Sequence, residues 1–178
     1  MAKSLAVLTV LLLALSAYAE EPWWRREPLR IIDVSASLTS KVNPDDPAAL
    51  AAAKAALGFN MEHFDAMQIA GGLDDDKFFF NTSLGRRKNP DALKAYLPEA
   101  RKHGIRTLIY FDVHWYSKQF AERHPEWRQT RENGKPLDDV YDTGADFCVN
   151  TPWRKWCFQM LRDLAAYPID GIFYDGPV

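Results

Sequence analysis

The sequence predicts an α/β fold whose parallel sheet is built from strand-then-helix units. Four short runs rich in β-branched and aromatic residues alternate with helical patterns at a spacing of roughly forty residues, which is typical of a parallel sheet. No glycine-rich phosphate-binding motif follows the first run, so a dinucleotide-binding fold is disfavoured. A complete TIM (β/α)8 barrel needs about 250 residues, whereas this chain has 178 and ends after its fourth strand. We therefore predict the N-terminal half of such a barrel, about four β/α units, truncated after strand 4.

The individual elements follow from residue type and spacing. The predicted strands are residues 29–34, 59–67, 106–113 and 171–175. The predicted helices are residues 48–57, 89–103 and 151–167. Asn89 and Pro90 form a favourable start for the second helix, and Pro98 inside it predicts a kink. The segment 115–150 is predicted as a long loop with a short helix near residues 120–123.

The N-terminal segment has the pattern of a secretory signal. Lys3 precedes an apolar run over residues 5–15 that is too short to cross a bilayer as a helix, and Ala17 and Ala19 give the small-x-small pattern of a signal-peptidase site. We predict a signal peptide over residues 1–19 with cleavage after Ala19, a lead-in segment over 20–28 and a partial barrel domain over 29–178. The mature chain is then expected to be secreted or periplasmic, without a membrane partner. The alternative is an uncleaved anchor.

Charge and cysteine content narrow the range of partners. The formal net charge is −2 and no basic stripe is present, so no nucleic-acid partner is expected. The spacing of Cys148 and Cys157 fits no metal motif, and no HExxH pattern occurs, so neither a metal nor another cofactor is predicted. An exported chain permits a disulfide between the two cysteines. Because Cys157 falls on the apolar face of a predicted helix, a buried free thiol is the favoured interpretation.

Candidate site residues lie where the third strand ends, since barrel active sites occupy the carboxyl ends of the strands. Alternation along this strand directs Tyr110, Asp112 and His114 toward the barrel interior and the apolar residues between them toward the helices. Asp112 and His114 are candidates for substrate binding. Alternatively, Asp112 caps a loop and His114 is a structural histidine. Trp115 and Tyr116 follow directly and are candidates for stacking on the apolar face of a substrate.

The fourth strand ends in Asp175, just before a Gly-Pro pair. A carboxylate on a rigid element at this edge suits a nucleophile or an acid/base group, and the alternative is a residue that only begins a turn. The second strand carries His63 and Asp65, two further candidates for substrate binding. Its alternation is poor and Glu62 lies beside them, so their face is ambiguous.

Three segments resemble a known family. They are residues 89–115 (NPDALKAYLPEARKHGIRTLIYFDVHW), 146–156 (DFCVNTPWRKW) and 170–178 (DGIFYDGPV). Over most of residues 59–178 the chain is similar to the hypothetical glycoside hydrolases of (β/α)8 fold, which are distant relatives of the α-amylase and α-L-fucosidase barrels. The resemblance implies that Asp175 is the retaining nucleophile at the end of strand four and that the segment around Asp112 and His114 contacts substrate. It also implies an acid/base residue from a later strand or loop, beyond Val178.

The predicted function is therefore a secreted glycoside hydrolase that cleaves O-glycosyl bonds of an oligo- or polysaccharide, with carbohydrate as its partner. Two alternatives stay open: a non-catalytic carbohydrate-binding barrel, and a secreted barrel hydrolase of other chemistry, such as a metal-dependent one. The 178 residues alone are expected to be inactive, because half a barrel leaves open sheet edges and lacks the second carboxyl group.

Overall fold

The computed structural model describes residues 21–33, 46–65, 78–84, 91–137 and 144–176. The elements in chain order are helix α1 (Trp23–Arg26), strand β1 (Ile31–Ile32), α2 (Pro47–Ala56), β2 (Met61–Asp65), α3 (Ala92–Lys102), β3 (Arg106–Asp112), β4 (Trp115–Ser117), α4 (Lys118–Arg123), a 3-10 turn (Pro125–Trp127), β5 (Gly144–Asp146), α5 (Trp153–Ala165) and β6 (Gly171–Asp175). The predicted signal peptide lies outside the described residues. Within the described ranges, no helix has the length and apolar character that crossing a bilayer requires.

The main sheet contains β1, β2, β3 and β6 in that order, and all its pairs are parallel. These are the four predicted strands. β6 has its predicted bounds, and β1 is shorter than predicted. Each strand lies beside the next main strand of the chain, which is the arrangement of a (β/α) barrel. A doubly wound sheet instead reverses its strand order at a switch point.

The three long helices pack on one face of this sheet. Alternation places Phe64 of β2 and Phe111 of β3 on that face. The Phe64 ring stacks on Tyr96 of α3 with 5.0 Å between centroids, and Phe111 lies in one core cluster with Leu93 of α3 and Met160 of α5. A buried polar cluster, described below, joins α2 to the same face. Helices packed along one face of a parallel sheet are also the arrangement in the wall of a (β/α) barrel. The predicted α/β class with a parallel sheet is confirmed.

The core between α5 and the sheet is built mainly from aromatic rings. Trp153 is fully buried; its ring stacks on Trp156 with 4.7 Å between centroids and on Phe147 with 4.6 Å. Its Nε1–H donates to the carbonyl oxygen of Val113 at 2.8 Å. Because Val113 directly follows β3, this bond ties the start of α5 to the segment that leaves the sheet at its carboxyl edge.

Cys148 and Cys157 are both free thiols, as the favoured interpretation predicts, and no disulfide joins them. Cys157 is buried in the aromatic core, and this burial raises the pKa of its thiol to about 12. A thiol that stays protonated is a poor nucleophile and a poor metal ligand. Cys157 therefore acts as a small packing group.

The start of α3 differs from the prediction. Asn89, the predicted cap, lies outside the described residues, and the helix begins at Ala92. Asp91 is its N-cap, because the Asp91 side chain accepts the backbone N–H of Lys94 at 3.0 Å. The helix continues through Pro98 to its end.

The long segment after β3 also differs from the predicted loop. The predicted short helix is present as α4, but β4 and β5 flank it and pair with each other in a two-stranded antiparallel sheet. Each of these strands has three residues, too few for alternation to be visible in the sequence.

A buried polar cluster on the helix-covered face joins α2, β2, α3 and β3. Glu62 is fully buried, and its carboxylate accepts hydrogen bonds from Lys54 Nζ, from the Tyr96 hydroxyl at 2.9 Å and from Thr107 Oγ1 at 2.9 Å. Burial raises the pKa of Tyr96, and the adjacent Glu62 carboxylate adds to the rise. The phenol therefore stays a donor, and Glu62 belongs to the packing of the helices rather than to the open face.

Candidate functional site

The carboxyl ends of β3 and β6 lie side by side on the main sheet. Asp112 and Asp175 are register partners at the last position of each strand. The hydroxyl of Tyr110, two residues before Asp112, donates to Oδ2 of Asp175. Since Tyr110 and Asp112 share one face by alternation, this bond places the Asp175 carboxylate on the face opposite the helices. Tyr110 and Asp175 therefore lie opposite the helices, as alternation along their strands predicts, and their orientation toward a barrel interior stays a prediction.

Asp112 closes the turn that leaves β3. Its Oδ1 accepts the backbone N–H of His114 at 3.0 Å and that of Trp115 at 2.8 Å. Burial raises the pKa of this carboxyl group, and the two backbone donors oppose the rise because they favour the ionised form. Asp112 therefore caps this turn, as the structural alternative predicts. Contact of Asp112 with a substrate stays a prediction.

His114 is held between two carboxylates. Its Nδ1 lies 2.8 Å from Oδ1 of Asp146, and its Nε2 lies 3.8 Å from Oδ1 of Asp112. Asp146 is the last residue of β5 and only 2% exposed. A carboxylate bonded to Nδ1 orients the imidazole and favours a proton on that nitrogen. The β4–β5 sheet thus fixes His114 at the carboxyl end of β3.

The second strand contributes to the same face. His63 Nδ1 lies 3.1 Å from Oδ1 of Asp33, and its ring stacks on Phe173 with 4.2 Å between centroids. The Phe173 ring is in turn 5.9 Å from that of Tyr110. Asp65 is the register partner of Tyr110 at the end of β2. The ambiguous face of strand two is therefore settled: His63 and Asp65 face away from the helices.

Trp115 and Tyr116 are buried, whereas the sequence predicts rings that stack on a substrate. Trp115 is 9% exposed and Tyr116 is 1% exposed. The Trp115 indole fills the space beside Gly144 where a Cβ atom would lie, and Tyr116 packs against Phe120 and Trp156. A ring covered by core side chains has no free face to stack on a ligand. Their burial argues against the predicted contact with substrate.

The sequence did not identify two residues of this site, Tyr110 and Asp146. Alternation along β3 was sufficient to point Tyr110 inward, but nothing local indicated its hydrogen bond to a strand 65 positions away. Asp146 lies 32 positions from His114 on a strand without visible alternation, so only tertiary structure brings the two together.

The side chains gathered here define the chemistry that the site can offer. In the described ranges, no group of three or more His, Cys, Asp or Glu is placed to hold a metal ion. Carboxylates at Asp112, Asp146 and Asp175 and the imidazoles of His63 and His114 can act as nucleophile, proton carrier or hydrogen-bond partner of a hydroxyl-rich ligand.

Gly176, directly after Asp175, provides a test of how tightly this site is packed. Its φ is +69°, and a Cβ atom there would lie 2.0 Å from Nε2 of His114. Gly104 has a φ of +70° with nothing within 4 Å of the corresponding position. We expect Gly104→Ala to cost about 1 kcal/mol of unfolding free energy from backbone strain alone. Gly176→Ala should cost about 1–3 kcal/mol more because the imidazole must move.

Urea denaturation of both glycine variants measures this difference. Equal losses in Gly104→Ala and Gly176→Ala would contradict the close packing of His114 against the exit of β6.

Solved structures of a fucosidase, an amylase and a galactosidase share this fold. The chain is similar to α-L-fucosidase isoenzyme 2 from Paenibacillus thiaminolyticus, with a TM-score of 0.62, 18% identity, and coverage of 84% of this chain and 24% of that one. It is similar to a maltogenic α-amylase from Thermotoga neapolitana, with a TM-score of 0.58, 19% identity, and coverage of 84% and 40%. It is also similar to an α-galactosidase from Thermus thermophilus in complex with stachyose, with a TM-score of 0.57, 15% identity, and coverage of 83% and 32%.

These similarities show a shared fold, and the chain spans less than half the length of each of the three enzymes. No curated protein matches the sequence. Residues 58–176 match the model of the family described as Hypothetical glycosyl hydrolase 6. The chain belongs to this family, and the resemblance predicted from its sequence is confirmed.

Proposed function

We propose that the protein is a secreted glycoside hydrolase of the retaining type, acting on an oligo- or polysaccharide, with Asp175 as its nucleophile. The observation that carries the proposal is the position of Asp175. It ends β6 at the carboxyl edge of a parallel sheet, on the face that the helices leave open, with Tyr110 bonded to one carboxylate oxygen and Asp112 beside it. This is the edge at which barrel enzymes place their catalytic groups.

The chemistry proceeds in two steps. The Asp175 carboxylate attacks the anomeric carbon while the bond to the leaving oxygen breaks, and a second carboxyl group gives that oxygen its proton. The glycosyl–Asp175 ester is then attacked by water, which the same second group deprotonates, and the free carboxylate returns. The two carboxyl groups of a retaining enzyme lie about 5–5.5 Å apart. By resemblance to the fucosidase and amylase barrels, the acid/base residue is proposed to come from a strand or loop that follows β6.

The polar residues around Asp175 are proposed as the contacts of the sugar. Asp112, His114, His63 and Asp65 line the open face at or near the carboxyl ends of β3 and β2, where their oxygen and nitrogen atoms suit hydroxyl groups. Asp146 supports His114, since its buried carboxylate is bonded to Nδ1 and fixes the imidazole with Nε2 on the side of Asp112 and Gly176.

The wider architecture is proposed to be an eight-unit barrel of which this chain supplies four. Supporting this, β6 is an edge strand of the main sheet in the described residues, whereas in a closed barrel every strand has a neighbour on both sides. Secretion is proposed from the signal pattern over residues 1–19.

The mechanism is tested with protein expressed from its complete gene and a panel of aryl glycosides of both anomeric forms. On a substrate that is turned over, proton NMR follows the anomer that is released first. We expect retention of configuration, because two displacements at the anomeric carbon restore it. Inversion would exclude Asp175 as a covalent nucleophile. Tight binding of glycans without turnover of any panel member would favour the carbohydrate-binding alternative.

A further inference from the structure

The Tyr110 side chain is placed to act on Asp175. Its hydroxyl donates to Oδ2 of that carboxylate across the β3–β6 pair. The terminal torsion of an aspartate is broad and nearly two-fold, so an Asp without such a donor presents its oxygens in many orientations. One fixed donor selects an orientation and leaves Oδ1 on the other side of the carboxylate.

The ring that carries this hydroxyl is itself held in place. Tyr110 stacks near-parallel on Phe173, with 5.9 Å between centroids and 29° between planes, and Phe173 stacks on His63 at 4.2 Å. His63 is in turn paired with Asp33. Residues of β2, β3 and β6, with Asp33 directly after β1, therefore form a layer that supports the donor. A positioned catalytic group needs such rigid support.

The hydroxyl also stays protonated. Burial raises the pKa of Tyr110 above its ordinary value, and its bond to Asp175 and the charges of Asp175, Asp112 and Asp33 raise it further. The phenol therefore stays protonated at neutral pH and remains a donor to Asp175.

We propose that Tyr110 is a positioning residue of the glycosidase reaction, holding Oδ2 of Asp175 so that Oδ1 attacks the anomeric carbon. The inference rests on the function proposed above. It adds a residue that stabilises the ionised nucleophile, orients it before substrate arrives, and takes no part in proton transfer.

The test compares Tyr110→Phe with Tyr174→Phe in protein from the complete gene. Both variants remove one hydroxyl and keep the ring, but Tyr174 lies on the helix-covered side of β6 and contacts Phe111. For Tyr110→Phe we expect kcat to fall about 10²-fold, the size of effect seen when one preorganised donor is removed. KM should change by no more than about threefold, because the lost bond is not to substrate. Tyr174→Phe should keep both constants.

Two further readouts separate positioning from a structural role. In Tyr110→Phe the acidic limb of the kcat/KM profile should move to higher pH, because the ionised carboxylate has lost a donor. Replacement of Tyr110 by 3-fluorotyrosine keeps the donor and should keep kcat. Unchanged kcat in Tyr110→Phe, with Asp175→Asn inactive, would overturn the positioning role alone. Full activity of Asp175→Asn would instead overturn the proposed function.

Discussion

Replacing Asp175 with asparagine is expected to lower kcat by about 10⁴-fold or more, the scale of loss when a nucleophile is removed. An amide has nearly the shape of the carboxylate and can still accept the hydrogen bond from Tyr110. It cannot form a stable ester with the anomeric carbon, so the first displacement fails. The measurement is kcat on whichever aryl glycoside the unaltered protein turns over, using protein from the complete gene.

The matched control for this experiment is Asp170→Asn, at the opposite end of the same strand. The Asp170 carboxylate accepts the backbone N–H of Thr107 at 2.9 Å and pairs with Arg106 at the amino edge of the sheet. Asparagine keeps an acceptor there, so activity should persist. Activity of Asp175→Asn within a few-fold of the unaltered protein would remove the nucleophile assignment. An equal loss of kcat in both variants would indicate that the substitutions disturb folding rather than remove a catalytic group.

Removing the Glu62 side chain is expected to be the most destabilising of the changes considered. Glu62→Ala leaves the ammonium group of Lys54 buried, with its side chain only 11% exposed, and leaves the hydroxyls of Tyr96 and Thr107 without their acceptor. Breaking a buried ion pair by removing one partner costs about 3–5 kcal/mol. Urea denaturation of Glu62→Ala should show a loss of this size in the free energy of unfolding.

A double variant, Lys54→Met with Glu62→Gln, separates the stability that comes from pairing the two charges from the stability that comes from filling the space. It removes both charges. Tyr96 and Thr107 donate to different oxygens of Glu62, so the glutamine carbonyl accepts from one hydroxyl and the amide N–H faces the other, which can turn to accept. Since no unpaired charge is left, we expect it to lose less than about 2 kcal/mol. If the double variant is as unstable as Glu62→Ala, the stability of this cluster does not come from the pairing of its charges.

The arrangement of the sheet could be predicted well because period-two alternation is a local property of a chain. Tyr110 and Asp112 face away from the helices and Phe111 faces them, as the third strand predicts. The end of the fourth strand at Asp175 is equally visible, because a Gly-Pro pair follows it. The second strand is a counterexample: Glu62 is a charged residue on the buried face, and it obscures the alternation until its partner Lys54 is known.

The sequence by itself determined the α/β class, the four parallel strands, the position of Asp175 and the resemblance to glycosyl hydrolases. These depend on spacing within single elements, and such spacing is fixed by helix and strand geometry. Only the tertiary structure decided which distant side chains meet. It brought Asp146 to His114 and Tyr110 to Asp175, and it buried Trp115. Contacts of this kind depend on how loops and strands pack in three dimensions, and no local pattern encodes them.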